Sequence, residues 1–182
     1  MRRQGGFTLA ETMFAVAATG VLVSMAVPAY RDTVLNAHRD GTVMELLAAM
    51  QLARSEANRR PAYVTVCPSR DGATCSTSAA DWSQGWIVYV NADRTFSGAE
   101  PDAGETVLQV FQNAKPGMQI SSGNRVAFTF RPFDLNADNG TVTACDARAA
   151  TQPRQRRAVL ISVTGRPRVS DRKTDGSDLD CA

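Results

Sequence analysis

The chain has 182 residues, 43% of them hydrophobic, and its 20 Lys and Arg against 18 Asp and Glu leave a formal net charge of +2. That size holds one membrane-inserted helix plus one globular domain on the order of a hundred residues, and it argues against a second domain. The near balance of charge hides an uneven distribution, because basic residues cluster late in the chain while acidic ones gather at Ala99 to Glu105 and Asp175 to Asp180.

At the amino terminus, Arg2 and Arg3 precede an uncharged run from Thr12 to Tyr30. Positive-inside orientation keeps the arginines in the cytoplasm and sends everything after Tyr30 across the inner membrane. As an α-helix, Phe7 to Tyr30 would be roughly 36 Å long, enough to cross a hydrocarbon core of about 30 Å. Glu11 does not fit a plain anchor. An ionised carboxylate carried to mid-bilayer costs up to about 2.5–3.5 kcal/mol, so it calls for a neutralising partner.

The neighbourhood Gly5-Gly6-Phe7-Thr8-Leu9-Ala10-Glu11 resembles the class III signal of type IV pilins and pseudopilins. The resemblance implies cleavage between Gly6 and Phe7 by a prepilin peptidase, which also methylates the new amino terminus. It also implies retention of the apolar segment, and pairing of Glu11 with the terminal amine of another pilin subunit. An ordinary secretory signal cut near Ser24-Met25-Ala26 leaves the acidic residue and the paired glycines unexplained, as does a simple one-pass anchor. The expected division is a leader over 1–6, a transmembrane and assembly half-helix over 7–30, an amphipathic half-helix over 31–60 and a β-rich globular domain over 61–182.

Pro28 removes one backbone bond inside the helix and predicts a kink or a local melting point. Beyond the membrane, Val43, Leu46, Leu47, Met50, Ala53 and Ala57 recur as a helical stripe, with Arg39, Asp40, Glu45, Arg54 and Glu56 on other faces. Pro61 ends the helix. Short β-rich runs follow at Tyr63 to Cys67, Trp86 to Val90, Val107 to Phe111, Met118 to Ile120, Val126 to Phe130, Thr141 to Ala144, Ala158 to Val163 and Arg168 to Val169. Strands laid on one helix make an α+β domain.

Trp82-Ser83-Gln84-Gly85-Trp86 resembles the W-x-x-G-W strand of the GspH/FimT pilin-like family, and Thr164-Gly165-Arg166 resembles its terminal hairpin. With the leader and helix, the likeness implies a pilin-like α+β fold, a long amino-terminal helix packed on a small antiparallel β-domain. Cys67, Cys75, Cys145 and Cys181 form an even set destined for an oxidising compartment, which predicts two disulfides. Three connectivities are possible, and closeness in sequence favours Cys67 with Cys75, leaving Cys145 with Cys181. No Cys-x-x-Cys pair accompanies the lone His38, which argues against zinc.

No catalytic constellation is visible, and no metal or cofactor is expected. His38 reads as a solvated helix residue. Asp134 to Gly140 has calcium-like oxygen spacing but misplaces the glycine and puts Cys145 where a glutamate belongs, so it reads as a polar turn. Asn91 to Glu105 reads as a long surface loop.

The late arginines carry the remaining signal: Arg148, Arg154, Arg156, Arg157, then Gly165-Arg166-Pro167-Arg168 and Arg172-Lys173. Guanidinium groups bind phosphate bidentately and attract nucleic acid through a salt-dependent term. Some FimT-like pilins take up DNA through a G-R-x-R motif, and Arg166 and Arg168 match it, with Arg172 and Lys173 as extensions. The bland reading is a terminal hairpin with a glycine turn and solvated arginines, without an aromatic platform for bases. Three roles follow: a type IV minor pilin that primes assembly near the tip, a minor pseudopilin of type II secretion, or a pilus-borne DNA receptor.

Overall fold

The computed structural model describes residues 6, 8–94, 96, 100–102, 104–112, 115, 117–133, 137–146, 148, 149, 152 and 155–181. The chain forms two units, Met1–Ala37 and His38–Ala182. Helix α1 (Leu9–Arg59) supplies residues to both, and its helical backbone continues through Pro28, so the local melting expected there as the alternative to a kink is absent. It stops just ahead of Pro61, whose ring restricts the preceding residue to extended conformations.

Among the described residues of the second unit, eight strands form two antiparallel sheets. The first has the order β3 (Thr106–Gln112), β2 (Gly85–Asn91), β1 (Tyr63–Pro68), β5 (Phe128–Phe130). The second has the order β4 (Met118–Ser121), β6 (Gly140–Asp146), β7 (Arg156–Ile161), β8 (Pro167–Ser170). Each expected strand is present, with ends shifted by a residue or two. Val163 is the exception worth noting: it leaves β7 for an exposed turn.

The predicted helical stripe is the core face of α1. Val43, Leu46, Met50, Ala53 and Ala57 are buried against Val64, Val66, Trp86, Val88, Phe128 and Phe130 of the first sheet, and against Ile120, Val142, Ala144, Val159 and Ile161 of the second. Strand alternation explains the selection, since every second residue of each strand turns to this shared core. Gly85 has φ 146°, and a Cβ there would lie 2.5 Å from the Phe111 carbonyl oxygen. Only glycine lets β3 approach so closely, which sets Trp86 in a stacked contact with Phe111, ring centroids 5.5 Å apart. Trp82 fills the other end, its ring 5.9 Å from Phe128 and its indole N–H donating to the Arg125 carbonyl at 3.2 Å.

Three expectations need correction. The Asn91 to Glu105 stretch is not simply a surface loop: Glu100 is fully buried, and Phe96 packs on Ile87, Tyr89 and the Cys67–Cys75 pair behind the first sheet. Burial, reinforced by the Glu100 carboxyl, pushes the Tyr89 phenol well above its ordinary range. Arg39, placed by the sequence on a polar helix face, is buried, and His38, expected to be solvated, is half-buried with its Nδ1 sequestered and without a hydrogen-bond partner among the described residues. Long-range partners described below account for Arg39.

Candidate functional site

The amino-terminal end of α1 is built by Thr8. Its hydroxyl accepts from the Glu11 N–H at 3.2 Å and its carbonyl accepts from the Thr12 N–H at 3.1 Å, which makes Thr8 the cap and sets Glu11 in the first turn. A carboxylate there faces the positive end of the helix dipole. Around it the surface is apolar and open: Leu9 and Phe14 are 80% and 82% exposed, and the helix is long and apolar enough to cross a membrane. Hydroxyls in this stretch hide their polarity, with Thr12, Thr19, Ser24 and Thr33 donating to the carbonyls of Leu9, Ala15, Val21 and Ala29. The Glu11 carboxylate has no such partner among the described residues. Gly6 is exposed, and Phe7 lies outside the described residues.

In the second unit, α1 is tied to the second sheet by a charged network. Arg39 Nη1 donates to Gln155 Oε1 at 2.5 Å, and its Nε and Nη2 donate to Asp40 Oδ1 at 3.1 Å. Arg148 Nη2 donates to Asp146 Oδ2 at 2.6 Å and reaches Gln155 at 3.4 Å. The Asp146 side chain is wholly inaccessible, so burial alone would raise its pKa. The Arg148 guanidinium and backbone N–H, with Arg39 nearby, outweigh that and hold the carboxyl below its usual range.

The structure does not gather the candidate arginines into one free surface. Arg156 is engaged in a backbone clasp, Nη1 donating to the Leu179 carbonyl at 2.6 Å while Nε and Nη2 donate to the Ala149 carbonyl. Arg157 lies 3.7 Å from Asp40, Arg172 bonds the Gly176 carbonyl and lies 3.6 Å from Asp178, and Lys173 pairs with Asp180. Arg154 lies outside the described residues. Arg166 and Arg168 are exposed, with no side-chain partner among the described residues. Gly165, with φ 65°, makes the turn before them.

The Arg156 clasp belongs to a larger device. Leu179 is buried against Ala158 and Leu160, on the face of β7 turned away from the common core, and the Cys145–Cys181 bridge fixes the same segment to β6. Cys67 pairs with Cys75, so both disulfides follow the connectivity favoured by proximity in sequence. The Cys145→Ala/Cys181→Ala variant is expected to lose about 3–4 kcal/mol, because the bridge closes a long loop in the unfolded chain. Denaturant unfolding of the full chain in detergent checks this, and a loss under about 1 kcal/mol would contradict it.

Residues 42–165 match the family described as Type II transport protein GspH, and residues 1–27 match the prokaryotic N-terminal methylation motif. The chain belongs to the GspH family. Two crystal structures of the Pseudomonas aeruginosa PAO1 type IV minor pilin FimU share its fold. In space group P21 the TM-score is 0.54 at 17% identity, covering 73% of this chain and 88% of FimU; in P65 it is 0.50 at 18%, covering 72% and 91%. No curated protein matches the chain by sequence.

For this GspH-family chain, the methylation motif implies processing by a prepilin peptidase and assembly with other pilins. Sequence reasoning missed the Thr8 cap, although Thr8-x-x-Glu11 has capping-box spacing. It also missed Asp146, whose partners Arg148 and Arg39 reveal its role only once folded. Among the described residues, no group of three or more His, Cys, Asp or Glu is placed to hold a metal.

Proposed function

We propose that this GspH-family protein is a minor subunit of a type IV pilus that helps prime assembly and sits at or near the tip, without catalytic activity. It is held in the bacterial inner membrane by α1, with the globular unit in the periplasm, until it enters the fibre. The observation that carries the reading is Glu11, a carboxylate on an exposed apolar helix without a partner among the described residues, in a chain with the methylation motif. Mass spectrometry of the mature protein should find Met1 to Gly6 removed and Phe7 methylated. An intact amino terminus, or one trimmed beyond Tyr30, would overturn it. The family description equally fits a minor pseudopilin of type II secretion, and co-purification with pilus or secretion subunits separates the two.

A second reading, a DNA receptor, is favoured by the exposure of Arg166 and Arg168. Changing both to Gln should weaken DNA binding by the full chain in detergent and reduce the slope of log K against log salt by about 2. Unchanged affinity and slope would end it.

A further inference from the structure

The loop after β5 closes beside the β7–β8 turn. Phe130 is bridged to Ala137, and the Ala137 N–H donates to the Val163 carbonyl at 3.1 Å. Between the bridged ends stand Arg131 and Phe133; in the turn stand Val163 and, at its exit, Arg166. Phe133 is 77% exposed and Val163 61%, although both are large and apolar. Phe133 also has φ 55°, a region bulky residues rarely enter, and strained backbone of this kind clusters at binding sites and switch regions.

Among the described residues, the charge here is one-sided. Arg131, Arg166 and Arg168 are all exposed, and none has a side-chain partner among the described residues. Arg168 lies in β8 and Arg166 just before it, two residues apart along the chain, a spacing near that of successive phosphates in an extended segment. The nearest acids in sequence are Asp134, which lies outside the described residues, Asp138, which lies 3.7 Å from Arg125, and the exposed Asp171 beyond β8. An exposed aromatic ring and exposed guanidiniums on two segments joined through the Ala137–Val163 hydrogen bond supply the two elements of a single-strand binding surface, a stacking platform and a phosphate track.

We propose that the Arg131–Phe133 loop and the β7–β8 turn form one composite surface that takes a nucleic acid strand with unstacked bases. Phe133 stacks on a base, while Arg131, Arg166 and Arg168 hold the phosphates. This rests on the nucleic-acid reading of Arg166 and Arg168 and supplies the aromatic partner that the sequence around those arginines lacks. A protein surface would need carboxylates matching three cations, whereas a polyphosphate strand provides that match along its whole length.

The test is fluorescence anisotropy of the full chain in detergent with a thymidine oligomer and with a blunt duplex of equal length, at low salt. Phe133→Gly suits the positive φ and removes only the ring. It should weaken oligomer binding about tenfold or more while leaving the duplex unchanged, and Phe133→Trp should retain binding. Arg131→Gln and the Arg166→Gln/Arg168→Gln pair should weaken both. If the wild type binds both nucleic acids and Phe133→Gly leaves the oligomer untouched, the composite surface fails while the receptor reading stands. If the wild type binds neither, both fail; loss of fibre incorporation by Phe133→Gly would then assign the patch to a neighbouring subunit.

Discussion

Glu11→Ala is expected to insert and to be cleaved normally, yet to be absent from sheared fibres or strongly reduced there. Alanine is the better helix former, and it removes a carboxylate that costs up to about 2.5–3.5 kcal/mol at mid-bilayer, so insertion should not suffer. What disappears is the one anionic group on an otherwise apolar exposed surface, whose amide is capped by Thr8 but whose carboxylate has no partner among the described residues. Glu11→Gln separates charge from size: under charge pairing with a neighbouring subunit's terminal amine, it should behave as Ala does. Immunoblots of membranes and of sheared fibres read both steps. Normal incorporation of Glu11→Ala would contradict the pairing.

The second large effect belongs to Asp146→Asn, with an expected cost of about 3–5 kcal/mol. Its side chain is wholly inaccessible and Arg148 is mostly covered, so neutralising the acid removes the charge that balances a largely covered guanidinium. Arg39 loses a favourable neighbour at the same stroke, which loosens α1 from the second sheet. The pH dependence has a definite sign. Because the folded carboxyl is held below its ordinary value of about 4, the unfolded state binds the proton first as pH falls. The pair's stabilisation is therefore complete above about pH 4 and is lost as pH drops through the folded value. Glu56, bonded to Arg59 and Arg60, and Asp81, bonded to Arg70 and Ser76, are lowered in the same direction. Acid unfolding should persist in Asp146→Asn with a shallower slope. Denaturant titrations at pH 7 and pH 3.5 decide it: an equal deficit at both values would show that the ion pair is not the source.

What could be read from the residues alone was whatever depends on neighbours in the chain. The stripe from Val43 to Ala57 marks a helix face because helical period is local, and the β-branched runs mark strands for the same reason. Gly85 was legible as part of a motif, but not its cause, which is the Phe111 carbonyl folding back on it. Arg39 was misread because its partner Gln155 is 116 positions away. The basic run suffered likewise: Arg156 and Arg166 look alike in sequence, yet one is closed around two carbonyls while the other faces solvent. Charge density in a sequence says nothing of which cations the fold has already engaged. Glu100 belongs with them, an acid in an acidic stretch that the fold places inside.

The covalent tie between Cys145 and Cys181 has a temporal consequence. A ribosome must add 36 further positions after the first thiol before the second exists, so the upstream cysteine waits unpaired through that interval. Both thiols must therefore meet an oxidant before the bridge can lock Leu179 over β7. Polypeptide kept reduced would hold that flap only by the Leu179 contacts and the Arg156 clasp, so Ala158 and Leu160 would be uncovered more often, a route to clumping that begins with the redox state of the surroundings and not with any flaw in the fold.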